Sequence, residues 1–173
     1  MHEHLTSVLL FWTDYHQKVT GADDKVQDVT RKAGDVPTFD PLKHSEENLS
    51  DQPLEVVLIE LKPRPVDFKP APITLDAVKL VDTEHHLVPL ENDRVRVLRT
   101  ILEPRLKSRM REHPHYVVVC RTELHTTMKL GDGKVIDNPL RPGEIAWPDA
   151  LNHVENIEDR TGNSGRAEVT MSR

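Results

Sequence analysis

The residues best suited to chemistry fall in two short segments 109 positions apart. The first is His2-Glu3-His4, followed by Gly34 and His44; the second is Arg111-Glu112-His113, followed by Gly143 and His153. On a strand, residues two apart share a face, so His2 and His4 point one way and Glu3 the other, as does Glu112 in the second segment. A third imidazole from a distant strand, His44, can converge on that pair. Neutral imidazole suits zinc, iron, copper and nickel, and three histidines leave positions open for water or a small molecule. In the second segment Arg111 occupies the place of His2. A guanidinium is permanently charged and only donates hydrogen bonds, so it cannot ligate a metal. His113 and His153 then read as packed or hydrogen-bonded residues of a degenerate site; the functional alternative is an anion pocket, with Arg111 holding a carboxylate and the histidines assisting. His115 lies two residues past His113 and is a substitute ligand if the strand stays extended through Pro114.

The step of 109 extends beyond these segments. It carries His16 to His125, Asp23 to Asp132, Lys25 to Lys134, Asp28 to Asp137, Gly34 to Gly143 and His44 to His153 without a gap. The frame then slips by one, so that Asn48 meets Asn156. A fixed spacing of this length points to two copies of one structural unit rather than a solenoid. The domains expected are 1–62, a Pro-rich connector at 63–83, and 84–173. The second copy has a lead-in, His85 to Arg109, that the first lacks. The first copy is expected to be incomplete at its N-terminal side, with a bare sheet edge that recruits another chain.

The strands that must position these residues are legible from β-branched and aromatic runs. They are Ser7–Thr13, Lys25–Thr30, Leu54–Leu61, Asn92–Arg99, Tyr116–Arg121 and Lys134–Asn138. Asn92–Arg99 alternates polar and apolar, which predicts one buried face. Asp/Gly turns at 21–24 and 131–133 predict hairpins. Thirteen prolines in 173 residues argue against long helices. The pattern predicts an all-β protein, a sandwich or barrel of antiparallel strands.

Together these motifs resemble those of the cupin superfamily, and of bicupins in particular. The first cupin motif is a His-x-His pair followed by a Glu; the second is a Gly, usually a Pro, a His about ten residues on, and an Asn. Here they read His2-Glu3-His4 with Gly34, His44 and Asn48, and Arg111-Glu112-His113-Pro114 with Gly143, Pro148, His153 and Asn156. The lead-in Leu90–Leu98 and the segment Glu47–Val56 also resemble cupin strands. The resemblance implies tandem jelly-roll β-barrels, the first incomplete. It also implies one divalent ion (iron, zinc, manganese or nickel) held by His2, His4 and His44. Dioxygenases, isomerases and decarboxylases use such barrels. The chain departs from the family at the motif carboxylate: Val8 and Leu9 stand there in the first copy, Val117 and Val118 in the second. Two readings follow. One is a metal-dependent enzyme of dioxygenase-like or isomerase-like type; the other is a non-catalytic small-molecule binder or structural bicupin with a degenerate second site.

Composition narrows the partners. Net charge is −6 and the basic residues form no run, which argues against nucleic acid. No apolar stretch is long enough to span a bilayer, and residues 1–16 lack the basic start and small-residue cleavage site expected of a signal peptide. A small-molecule ligand and a homo-oligomer are the partners expected. Cys120 is the one cysteine, so no internal disulfide forms and a reducing cytosol is the default. Its apolar surroundings make it a buried hydrophobe rather than a nucleophile. His16 and His125 are expected at the surface or in structural roles, His85-His86 in solvent, Trp12 and Trp147 in the core or a pocket wall. The charges Lys43, Glu46, Glu47 and Asp51 are expected to form a solvated loop.

Overall fold

Alternating and β-branched runs become strands in the computed structural model, which describes residues 1–67, 84–107, 111–113, 115–147, 151–156 and 165–172. Residues 111–113, 151–156 and 165–172 are described by their backbone. Residues 68–83 of the expected connector lie outside the described residues. Among the described residues there is no helix, and none long and apolar enough to cross a membrane. The chain divides into two compact units, Met1–Phe68 and Lys69–Arg173.

The first unit holds β1 (His2–His4), β2 (Ser7–Phe11), β3 (Tyr15–Gly21), β4 (Val26–Arg31), β5 (Thr38–Phe39), β6 (Leu42–Asn48) and β7 (Val56–Glu60). One sheet runs β1-β6-β3-β4 and the other β5-β2-β7. Val8, Leu10, Phe11 and Tyr15 are buried, and the Phe11 and Tyr15 rings meet edge to face at 4.8 Å. The β3–β4 hairpin turns through Asp24 at φ 58°, closed by the Gly21 N–H donating to the Lys25 carbonyl at 2.9 Å. Gly34 turns at φ 96° and donates its N–H to the Phe11 carbonyl at 2.7 Å. That left-handed conformation favours glycine, and it lets the chain double back from β4 toward β6 and His44.

The second unit holds β8 (His86–Glu91), β9 (Val95–Leu102), β10 (Arg111–His113), β11 (Tyr116–Cys120), β12 (Leu124–Leu130), β13 (Val135–Leu140), β14 (Ile145–Ala146), β15 (Leu151–Asn156) and β16 (Gly165–Ser172). Its sheets run β10-β15-β12-β13 and β14-β11-β16-β9-β8. Leu102, Cys120, Leu124 and Leu140 pack as one buried cluster. The β8–β9 turn is held by Asn92, whose Oδ1 accepts the N–H groups of Arg94 and Val95 at 2.8 and 2.9 Å.

The two units share their pairing register. His2 faces His44 as Arg111 faces His153, and Tyr15 faces Arg31 as Leu124 faces Leu140. Each residue of the second pair is displaced by 109. The displacement persists along β6 and β15: Lys18 faces Glu47 as Thr127 faces Asn156. Asn156 thus occupies the place of Glu47, and the slip expected there does not occur within the strand. Glu46 and Glu155 are the residues that correspond. Even the surface bridges repeat, with His16 Nε2 3.0 Å from Asp28 and His125 Nε2 2.7 Å from Asp137.

Four expectations are corrected. Residues 95–98 of β9 are all buried, because β9 lies inside a five-stranded sheet; its polar face is covered too, and Arg96 donates to Glu91 at 2.6 Å. His86 is 6% exposed, because it is part of β8, paired opposite Thr100, rather than a solvated lead-in. Trp147 is 75% exposed, since β14 is a two-residue edge strand with no partner beyond it among the described residues. Lys43, Glu46 and Glu47 are not in a loop but in β6, where alternation sends Glu46 to the same face as His44.

Candidate metal centre

β1 is only three residues long, and its pairing with β6 sets the site. His2 lies directly opposite His44, and His4 is two residues on along the same face. The three rings converge: centroids are 4.8 Å apart for His2 and His4, 4.5 Å for His2 and His44, and 5.5 Å for His4 and His44. Glu3, which alternates with them, is exposed on the other side. His2 is exposed, His4 half-buried and His44 buried, so the cluster opens toward solvent on the His2 side.

Neighbours prepare two of these rings. His4 Nδ1 lies 3.0 Å from Glu60 Oε1, which also accepts the Leu5 N–H at 3.3 Å. A carboxylate there holds the proton on Nδ1 and leaves Nε2 as the atom available to an ion. Glu60 comes from β7, in the other sheet, so the bond ties the two sheets together at the site. His2 has its pKa pushed below the ordinary value, first by desolvation and next by the neighbouring His44. That favours the neutral imidazole a metal requires.

The donors fit a divalent ion. His2 Nε2 and His44 Nε2 are 3.2 Å apart, and donor atoms of all three histidines lie within 4.8 Å of one another. At bond lengths of about 2.1 Å, donors next to each other in a tetrahedral or octahedral shell stand about 3.0–3.4 Å apart. One pair already meets that spacing, and the third donor lies within 4.8 Å of both.

Below the cluster, between the two sheets of the unit, lies a cavity of about 220 Å³. His4 and His44 form part of its wall. Leu9, Phe11, Val19, Val29, Phe39 and Leu58 make the rest chiefly apolar, with Gln17, Arg31 and Glu46 as polar points. Tyr15 also lines it. Its phenol donates to Gln17 and lies 3.4 Å from Glu46 Oε1. Burial foremost, and then the Glu46 charge, raise the Tyr15 pKa above the ordinary phenol value, so the hydroxyl stays a donor.

The structure thus brings His2, His4 and His44 together. In the second unit β10 and β15 hold Arg111 opposite His153, while the side chains of Arg111, His113 and His153 lie outside the described residues. Reasoning from sequence missed Glu46, Glu60 and Tyr15. The i, i+2 spacing of His44 and Glu46 on a strand was the available signal for Glu46. Nothing local marked Glu60, which arrives from 56 residues along the chain.

No protein-family model and no curated protein matches the chain. Solved structures do. A deletion mutant of Bacillus subtilis oxalate decarboxylase matches with a TM-score of 0.61 at 12% identity, over 98% of this chain and 64% of that one. A second oxalate decarboxylase structure gives 0.61 at 11% identity, over 97% and 63%. A cupin 2 conserved barrel domain protein from Leptotrichia buccalis gives 0.53 at 10% identity, over 99% and 78%. The chain therefore spans less than two thirds of the oxalate decarboxylases it matches. At these identities the likeness is one of fold: the chain has the all-β, jelly-roll fold of the cupins.

Proposed function

We propose that this is a bicupin whose first unit binds a single divalent ion through His2, His4 and His44 and presents a small molecule to it. The second unit, with Arg111 in place of a ligand, holds no metal. The observation that carries the reading is the convergence of three imidazoles at the rim of a cavity otherwise walled by Leu9, Phe11, Val19 and Leu58. An ion held by these histidines would supply Lewis acidity and, if it is iron, oxygen activation. The chain supplies the rest. The apolar wall takes the body of the ligand, and Arg31 offers a charge to a carboxylate or enolate head. A metal-dependent oxidoreductase of dioxygenase-like type, or an isomerase, acting on a ligand with an apolar body fits this arrangement. Oxalate itself fits less well, because two charges and no apolar part would be set against that wall.

A second reading is a non-catalytic binder. It is favoured by the absence of the motif carboxylate, since Val8 is fully buried and Leu9 faces the cavity. Metal analysis of protein purified without chelator tests the common part. A single ion per chain is expected, lost in His44→Ala and kept in His153→Ala. Equal losses in both variants would overturn the assignment. Oxygen uptake by the iron-loaded protein with apolar acids, thiols and diketones then separates enzyme from binder.

A further inference from the structure

We infer that Glu46 is a fourth ligand at the three-histidine centre, a carboxylate supplied from β6 in place of the one missing after the His pair; this rests on the metal reading above. Glu46 is two residues beyond His44 and shares its face. Its Oε1 lies 3.1 Å from His44 Nε2, and His2 Nε2 lies 3.2 Å from the same atom. One ring nitrogen therefore has two close neighbours, a carboxylate oxygen and another ring nitrogen. It carries at most one proton, so a direct hydrogen bond satisfies at most one of them. Both distances fall within the spacing of about 3.0–3.4 Å between adjacent donors around one ion. An ion beside His44 Nε2 would answer both contacts, with the Glu46 carboxylate, which lies outside the tight cluster of the three histidines, turning in from the His44 side.

Charge and support agree with this placement. Three neutral imidazoles leave both charges of a divalent ion uncompensated beside an apolar cavity, and a carboxylate ligand halves that excess. The other oxygen-bearing groups nearby do not serve as well. Glu60 is engaged by His4 Nδ1 and the Leu5 N–H, and the Tyr15 hydroxyl is engaged by Gln17. The Tyr15 phenol oxygen lies 3.4 Å from Glu46 Oε1, at the edge of hydrogen-bond distance, with its proton directed to Gln17. The side chain of Glu46 is 34% exposed, so its replacement by the isosteric amide leaves no buried charge unpaired.

Cobalt(II) titration followed by visible absorption tests the assignment without any substrate. Wild type, Glu46→Gln, Glu46→Asp and His44→Ala are compared, with zinc affinity measured by chelator competition. The wild type should show the d–d bands of a bound ion, and His44→Ala should lose them. Glu46→Gln should bind at least tenfold more weakly and with altered band positions, because a ligand has changed. Glu46→Asp, which keeps the carboxylate on a shorter stem, should fall between them. If the wild type takes up no cobalt or zinc, the three-histidine reading itself fails. If it does, and Glu46→Gln matches it in affinity and spectrum, Glu46 is only an ion-pair partner of His44 and the inference is overturned.

Discussion

Cys120 and His4 differ in chemistry because of what their strands meet. Cys120 sits in β11 with no exposed surface, and its Sγ donates to the Thr122 carbonyl at 2.9 Å. Burial, and next the charge of Glu144, push its thiol from an ordinary 9.0 up to about 11. The native protein should therefore resist Ellman's reagent at pH 8 for as long as it stays folded, whereas the denatured chain reacts at once. The same shift has a stability consequence. The folded state favours the neutral thiol, so its contribution is intact below pH 9 and is lost as pH rises from 9 toward 11. Urea midpoints should fall across that window in wild type more steeply than in Cys120→Ala, and parallel slopes would remove the thiol as the cause. His4, by contrast, is half-buried and reaches Glu60 on β7, which turns a strand-end histidine into an oriented donor.

At the level of elements the decisive strand is β7. In the second unit its counterpart β16 is paired on both edges, with β11 and with β9. Among the described residues β7 pairs with β2 alone. Its side chains at Val56 and Leu58 are partly exposed, so the strand offers both open backbone groups and apolar surface. Such an edge is a template for another strand. The isolated chain should accordingly associate: light scattering should give a mass that rises with concentration toward a closed dimer. A constant monomer mass at high concentration, with hydrogen-exchange protection throughout residues 5–60, would mean that this edge is satisfied within the chain.

Across the whole molecule the shared register makes one site a template for the other. Arg111 holds the place of His2, His153 that of His44, and Glu155 that of Glu46. Arg111→His should therefore raise zinc stoichiometry by one ion per chain. Metal bound only by the folded state should also raise stability, by ~2.7 kcal/mol at a hundredfold excess over the dissociation constant. Binding is read by chelator competition and stability by thermal melts with and without zinc. No added zinc together with a lower melting temperature would mean that the second unit is rebuilt around the arginine, whose loss leaves an acidic partner unpaired.

Type and spacing alone determined much of this protein. His2 and His4 share a face because strands alternate; Gly34 and Gly143 mark turns at positive φ; Asp28 and Asp137 recur at the same step as His16 and His125. These are local periodicities, and a repeated pattern reports them twice. Fold class and the three converging imidazoles were legible for that reason. What tertiary structure decided was long-range pairing. The opposition of His2 and His44 is a matter of register, and the approach of Glu60 to His4 joins two sheets. Glu46 looked like one of several solvated charges because nothing in a run of Lys and Glu says which residue stands beside His44. His86 and Arg96 were misjudged for the same reason: polar side chains read as surface until a neighbouring strand or sheet covers them. Burial of a polar residue depends on who its neighbours are in space, and that is settled only when distant strands have found their partners.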